Sequence, residues 1–386
     1  MSFADLKMPS ENINISINGT RESMKSNMKL SQTLHGIYDD ASTSGPHGMC
    51  DIFDGRWVYD PTAYPLYQAT QCPFLSDQVS CQKNGRPDSE YENWKWEARK
   101  CNIPRFDGRE MLERWRGKRI IIVGDSLNRN QWESLSCLLY SVLPPTRVYV
   151  NVRRAVYKVF RAMDYNCTVE FFWSPFLVQM EELKQKVMKL DTISASAQQW
   201  RGADIMVFNT GHWWVHRGKL KAWDFFENEG KLVENMEVET AYEIAMKTWA
   251  HWIDHNVDPA NTTVFFRSIS PEHKRGKQWC YNQTQPIMDK SYVNHYPKRM
   301  IGIAESILGE MKIPVRYLNI TKLSEYRRDA HAALYTARQG KPLTEEQRRQ
   351  PKAHADCSHW CLPGLPDTWN TLMYASTVLE TSEEIL

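Results

Sequence analysis

The order of apolar and polar residues changes character twice along the chain. Through residue 48 the sequence is rich in Ser, Asn, Thr and Met without apolar periodicity, which predicts a disordered or linker segment. Residues 49–105 break into short pieces at turn signals, Asp54-Gly55, Asp60-Pro61, Asn84-Gly85 and Arg86-Pro87-Asp88. A segment of this kind has little core of its own and needs disulfides or a neighbouring domain to hold it.

From Gly117 a strand and helix rhythm sets in. The β-branched run Arg119 to Val123 reads as a buried strand. Leu127 to Val142 follows, with Trp132, Leu135, Leu138 and Leu139 at helical spacing and Pro144-Pro145 as a stop. Further strands are predicted at Thr168–Trp173, Asp204–Phe208, Thr263–Phe266 and Val315–Asn319. Helices are predicted at Val238–Asn256, at Lys298–Met311 before Pro314, and from Asp367 through Leu379. Strands separated by helices imply an α/β fold, a parallel sheet covered on both faces. No internal repeat interrupts this reading.

Composition narrows the setting. A net charge of +2 without long basic blocks argues against nucleic acid as a partner, because such binding depends on phosphate neutralisation. No apolar run is long enough to cross a bilayer, and Met1 to Lys7 show no signal peptide. The nine cysteines are unevenly placed, with Cys50, Cys72, Cys81 and Cys101 in one region and Cys357 and Cys361 near the end. The pattern Asn-x-Ser/Thr occurs at Asn14, Asn18, Asn166, Asn261, Asn282 and Asn319. Together these favour an oxidising, glycosylating compartment, and we expect an anchor or signal to be missing from the front of the chain. The 15 tryptophans, several in near-pairs such as Trp213-Trp214, serve mostly as core, with some free to stack on sugar faces.

Three stretches carry candidate chemistry. In Val123-Gly124-Asp125-Ser126-Leu127 a serine follows a buried strand and opens a helix, at the sheet edge where ligands of α/β folds sit. The helix start also favours a developing oxyanion. The same tripeptide serves equally well as a plain helix cap. In Asp356-Cys357-Ser358-His359-Trp360-Cys361 an imidazole and a carboxylate stand three residues apart between cysteines and Pro-Gly turns. A serine hydroxyl needs such a base, and the base needs such an acid to fix its tautomer. His354, Cys357, His359 and Cys361 are an alternative zinc set, disfavoured because the remaining cysteines form no second cluster and the sequons imply oxidised thiols; we expect no metal. Third, the strand ending at Phe208 delivers Asn209 and Gly211 to the same edge as Ser126, and an Asn side chain is a known kind of oxyanion donor.

At this length the motifs resemble a known family. Val123 to Ser134, containing Gly124-Asp125-Ser126, is similar to the Gly-Asp-Ser block of the plant trichome birefringence-like family. Asp356 to Asn370 resembles its Asp-x-x-His block, and Cys50 to Val58 and Leu323 to His331 agree as well. The resemblance runs from Cys50 nearly to the carboxyl end. It implies an SGNH/GDSL-hydrolase-like three-layer sandwich with a central parallel sheet. Residues 106–386 would be the catalytic PC-esterase domain, with residues 49–105 a Cys-rich segment packed on it.

What the resemblance implies about function is O-acetylation of a plant cell-wall polysaccharide in the Golgi lumen or membrane. Xylan is the first expected acceptor, with mannan or pectin as others. Ser126 would be the nucleophile, His359 the base and Asp356 its orienting acid, with Arg129, Asn209 and Gly211 around the oxyanion or substrate. No cofactor is expected to be tightly bound, only an acetyl donor such as acetyl-CoA or another acetyl carrier; other Golgi wall-synthesis proteins are possible partners. The family's intrachain disulfides would draw on Cys50, Cys72, Cys81, Cys101, Cys137, Cys280, Cys357 and Cys361, leaving Cys167 as a free, buried thiol. An acetyl esterase with the same triad and a non-catalytic wall-polysaccharide binding protein are the alternatives.

Overall fold

The computed structural model describes residues 50–383 apart from 183, 217, 275–278, 290–291 and 293–296. The linker expected over residues 1–48, with Asn14 and Asn18, lies outside the described residues.

The central sheet grows from the run that the sequence marked. Strand β1, Arg119–Gly124, sends alternate side chains to opposite faces. Ile120 and Ile122 enter a core with Trp132, Leu135, Trp369 and Leu372, whereas Ile121 and Val123 enter a second core with Phe208, Trp249, Ile253 and Ile307. A strand apolar on both faces can be satisfied only in the middle of three layers.

Six more strands complete the sheet: β2 Val148–Asn151, β3 Tyr157–Ala162, β4 Cys167–Trp173, β5 Ile205–Phe208, β6 Thr263–Arg267 and β7 Val315–Leu318. Their order is β7-β6-β5-β1-β4-β3-β2. Strands β7, β6, β5, β1 and β4 are parallel, but β3 runs antiparallel to β4, and β2 antiparallel to β3. The all-parallel expectation is corrected at this edge. Between β3 and β4 lies one short turn, Met163–Tyr165, closed by Asn166 in the left-handed conformation at φ 47°. So short a connection can only reverse the chain.

Helices cover both faces. Helix α1, Ser126–Tyr140, is capped by Asp125, whose side chain accepts from Leu127 N at 2.9 Å. Its residues are buried almost all round, because the sheet, the last helix and the amino-terminal segment enclose it. Helix α2, Val238–Asn256, buries Ala241, Tyr242, Ala245, Met246, Trp249 and Ile253, one stripe at helical spacing. Beside it on the same face is α3, Lys298–Glu310. On the other face α4, Leu365–Glu383, extends past the predicted helix at both ends.

A further four-stranded sheet, built from Val178–Glu182, Lys186–Ile193, Phe225–Asn228 and Lys231–Val233, went unread in the sequence. Its strands run from three to eight residues, and an alternation as brief as Val-Gln-Met-Glu does not stand out from loop sequence.

The amino-terminal segment forms an antiparallel pair, Gly55–Tyr59 with Trp94–Ala98, whose Ile52, Tyr67, Tyr91 and Trp96 share the core of the main body. There are four disulfides: Cys50–Cys101 closes the amino-terminal segment, Cys72–Cys137 ties it to α1, Cys81–Cys361 ties it to the carboxyl-terminal part, and Cys280–Cys357 lies within the main body. All eight expected cysteines are used, and Cys167 is free and buried. Trp132, Trp200, Trp214, Trp249, Trp360 and Trp369 are core residues. Among the described residues no helix is long and apolar enough to cross a membrane.

Candidate active site

Ser126 is the first residue of α1, at the carboxyl end of β1. The turn between them depends on Gly124, which has φ +155°. A Cβ there would stand 2.2 Å from Asn209 Oδ1 and 2.8 Å from the Asn209 carbonyl. Only glycine lets β1 and β5 close up at this point.

His359 and Asp356 sit on a short strand, β8, Asp356–Trp360, paired with His331–Ala333. His359 Nε2 is 2.7 Å from Ser126 Oγ, and His359 Nδ1 is 2.8 Å from Asp356 Oδ2. The other carboxylate oxygen, Oδ1, accepts from Ser358 N at 3.1 Å and His359 N at 3.0 Å. Burial opposes charge on Asp356, but His359 and these backbone N–H groups outweigh it and hold the carboxyl well below its ordinary value. The arrangement is a hydroxyl, a base and an ionised acid in line, able to move a proton off Ser126.

Of the residues expected around the oxyanion, Asn209 is buried at the end of β5. Its Oδ1 accepts from Asp125 N and its Nδ2 donates to Asp125 Oδ2, both at 3.4 Å. The carboxamide therefore lies against the residue preceding Ser126. Gly211, at φ +142°, allows Ile269 to pack where a Cβ would stand, 2.6 Å from Ile269 Cγ1.

Arg129 reaches the amino-terminal segment. Its guanidinium donates to the Gln78 side-chain oxygen and pairs with Glu133 at 3.7 Å. Gln78 in turn approaches His359 at Nδ1, the ring edge opposite the one that faces Ser126. The reason is helical: Glu133 is one turn from Arg129 on α1 and draws the side chain along the helix.

Two sets of neighbours were not legible in the sequence. Gln78 comes from the amino-terminal segment; its Nε2 is 3.1 Å from His359 Nδ1 and 3.4 Å from Asp356 Oδ2. No motif or spacing marks it, apart from its nearness to Cys81. The second set centres on Glu272, which accepts from Ser358 Oγ at 3.0 Å and pairs with His212 at 3.1 Å and Lys274 at 3.1 Å. Burial acts against its charge, yet His212 and Lys274 pull it down to about 2. Ligand atoms of His212, His216 and Glu272 lie within 4.8 Å of one another. The Glu272 carboxylate already holds Ser358, His212 and Lys274, and His216 meets His212 ring to ring. Of the zinc ligands weighed from sequence, Cys357 and Cys361 are in disulfides and offer no thiolate.

Fold and sequence place the protein in a class. Residues 103–376 match the PC-Esterase model, described as a GDSL/SGNH-like acyl-esterase family found in Pmr5 and Cas1p, and residues 48–102 match the PMR5 N terminal domain. The protein is thus GDSL/SGNH-like, its sheet edge carrying the serine.

The chain belongs to the trichome birefringence-like family of these PC-Esterase proteins. It is 43% identical to protein trichome birefringence-like 3 of Arabidopsis thaliana, over 88% of this chain and 81% of that one. With protein trichome birefringence of Arabidopsis thaliana the identity is 42%, over 86% of this chain and 57% of the relative. With xylan O-acetyltransferase 6 of Oryza sativa subsp. japonica it is 43%, over 84% and 62%. The chain thus spans less than two thirds of the last two relatives.

Proposed function

We propose that this protein transfers acetyl groups to hydroxyls of a plant cell-wall polysaccharide, xylan first, through an acetyl-serine at Ser126. The observation that carries the reading is the unbroken line from Ser126 Oγ through His359 to Asp356. Relatives named as xylan O-acetyltransferases supply the substrate class.

His359 Nε2 takes the Ser126 proton as Oγ attacks the carbonyl carbon of the acetyl donor, acetyl-CoA or another carrier. The tetrahedral oxyanion is met by backbone N–H groups at the start of α1, with Asn209 beside them. Collapse expels the carrier, protonated by His359, and leaves the serine ester. A sugar hydroxyl then gives its proton to His359, attacks the ester, and departs acetylated as Oγ recovers the proton. Asp356 stabilises the imidazolium in both halves.

The compartment we propose is the Golgi lumen. Four disulfides, and the exposed Asn166, Asn261, Asn282 and Asn319 of the sequons, support an oxidising and glycosylating setting.

A second reading, acetyl ester hydrolysis, draws on the acyl-esterase description of the family. The test offers the purified protein an acetyl donor with deacetylated xylan, mannan and pectin oligosaccharides, and follows acetyl-sugar and free acetate by mass spectrometry. Transfer to xylan, lost in Ser126→Ala, is expected. Acetate release without acetyl-sugar favours the esterase; undiminished transfer by Ser126→Ala removes the serine mechanism.

A further inference from the structure

We infer that the amino-terminal segment is part of the catalytic centre: Gln78, oriented by Arg129, is a positioning residue that fixes the Asp356–His359 pair. The inference rests on the serine mechanism above and adds to it a residue from outside the region that carries Ser126, His359 and Asp356.

The orientation of the Gln78 amide follows from its neighbours. A guanidinium can only donate, so the group facing Arg129 must be the Gln78 oxygen. The amide nitrogen is then turned to Asp356 Oδ2 at 3.4 Å, its acceptor there; it also passes 3.1 Å from His359 Nδ1, which accepts nothing while it carries the imidazole proton. Asp356 Oδ2 receives the imidazole and the amide, while Oδ1 receives Ser358 N and His359 N. A carboxylate surrounded by donors stays an acceptor, so the imidazole proton belongs on Nδ1. Nε2 is left with its lone pair toward Ser126 Oγ, the tautomer a base requires. With the amide reversed, its oxygen would face both the carboxylate and Nδ1, repelling one and competing for the proton of the other.

The loop carrying Gln78 is built to hold that position. Ser76 Oγ donates to Glu133 at 2.7 Å, and Glu133 also pairs with Arg129. Thr336 Oγ1 donates to the Gln78 carbonyl at 3.0 Å, and Leu362 N donates to the Val79 carbonyl at 3.0 Å. Three residues past Gln78, Cys81 is bonded to Cys361, two residues past His359. The loop and the histidine strand are therefore joined covalently as well as by hydrogen bonds.

The test measures kcat and KM for acetyl transfer in Gln78→Leu, Arg129→Met, Arg129→Lys and the double variant Gln78→Leu/Arg129→Met, with Ser126→Ala alongside and thermal melting of each. A lost hydrogen bond to a charged group predicts a fall in kcat of roughly 10–100-fold for Gln78→Leu, with KM little changed. Arg129→Met loses at least as much, because the amide is free to reverse, and has no further effect once Gln78 is Leu. Arg129→Lys keeps a donor for the Gln78 oxygen and retains most of the rate. Wild-type kcat in Gln78→Leu, additive losses in the double variant, or an Arg129→Lys loss as deep as Arg129→Met overturns the inference. If Ser126→Ala is inactive in the same assay, the serine mechanism survives that failure. An active Ser126→Ala removes both.

Discussion

Cys81 and Cys361 are 280 residues apart in sequence and joined by a disulfide that lies between the Gln78 loop and the His359 strand. Arg86, five residues past Cys81, donates to the carbonyls of Asp329 at 2.7 Å and His331 at 3.1 Å, so the same stretch also braces the strand paired with β8.

Removing this bond as Cys81→Ser/Cys361→Ser is expected to cost about 2–5 kcal/mol, as a long loop is released in the unfolded chain. Acetyl transfer at a temperature where the variant remains folded should fall as well. The pair Cys50→Ser/Cys101→Ser, at the base of the amino-terminal strand pair, should lose stability with less effect on rate. Denaturant melts and turnover, measured together, check both statements. Equal turnover in the two double variants contradicts the first.

Gly124→Ala tests the close approach of β1 to Asn209. At φ +155° any side chain is strained, at roughly 1–3 kcal/mol, and the new methyl also collides with the Asn209 side chain and carbonyl. The variant should be less stable and nearly inactive, because relief requires moving Asn209 or the serine turn. Gly117→Ala, at φ +74° with open space around it, should cost stability alone. Comparing the two by melting and by turnover separates strain from collision.

Stability should decline on mild acidification. Burial pushes His331 well down, and holds His216 and His273 at about 4, against an ordinary imidazole value of 6.5. A base whose folded value lies below its unfolded one contributes stability above the unfolded value. It loses that contribution as pH falls, here between about 6.5 and 4, since the unfolded chain takes up protons that the folded one refuses. Each such group adds a slope of up to about 1.4 kcal/mol per pH unit. Asp356 and Glu272, depressed carboxyls, act in the same sense at lower pH. Glu92 and Asp367, whose carboxyls burial raises to about 7 and about 6, act in the opposite sense over part of this window. The depressed imidazoles outnumber them, so denaturant midpoints at pH 7, 6 and 5 should still descend in that order; a flat or rising series contradicts that balance.

Much of the frame is legible in local sequence because its signals are local. The run Ile120-Ile121-Ile122-Val123 is apolar on both faces, and α2 begins and ends at the residues its periodicity predicts. The antiparallel edge was missed because the Met163–Tyr165 turn carries no proline or glycine, and its reversal rests on Asn166 in the left-handed region. The partners of Arg129 were illegible for a related reason: a residue three positions after a serine can point several ways, and Glu133 and Gln78 decided which.

The sequence by itself determined the layers, the serine at the head of a helix, and the histidine with its aspartate three residues before it. Those are patterns of period and spacing, written within a few turns of chain. Tertiary structure alone decided which cysteine meets which, that Gln78 reaches His359, and that Glu272 holds Ser358. Such contacts join segments up to hundreds of residues apart, and nothing in the composition of either partner records the other. They exist only once the core has closed and the loops have been left with a single place to go.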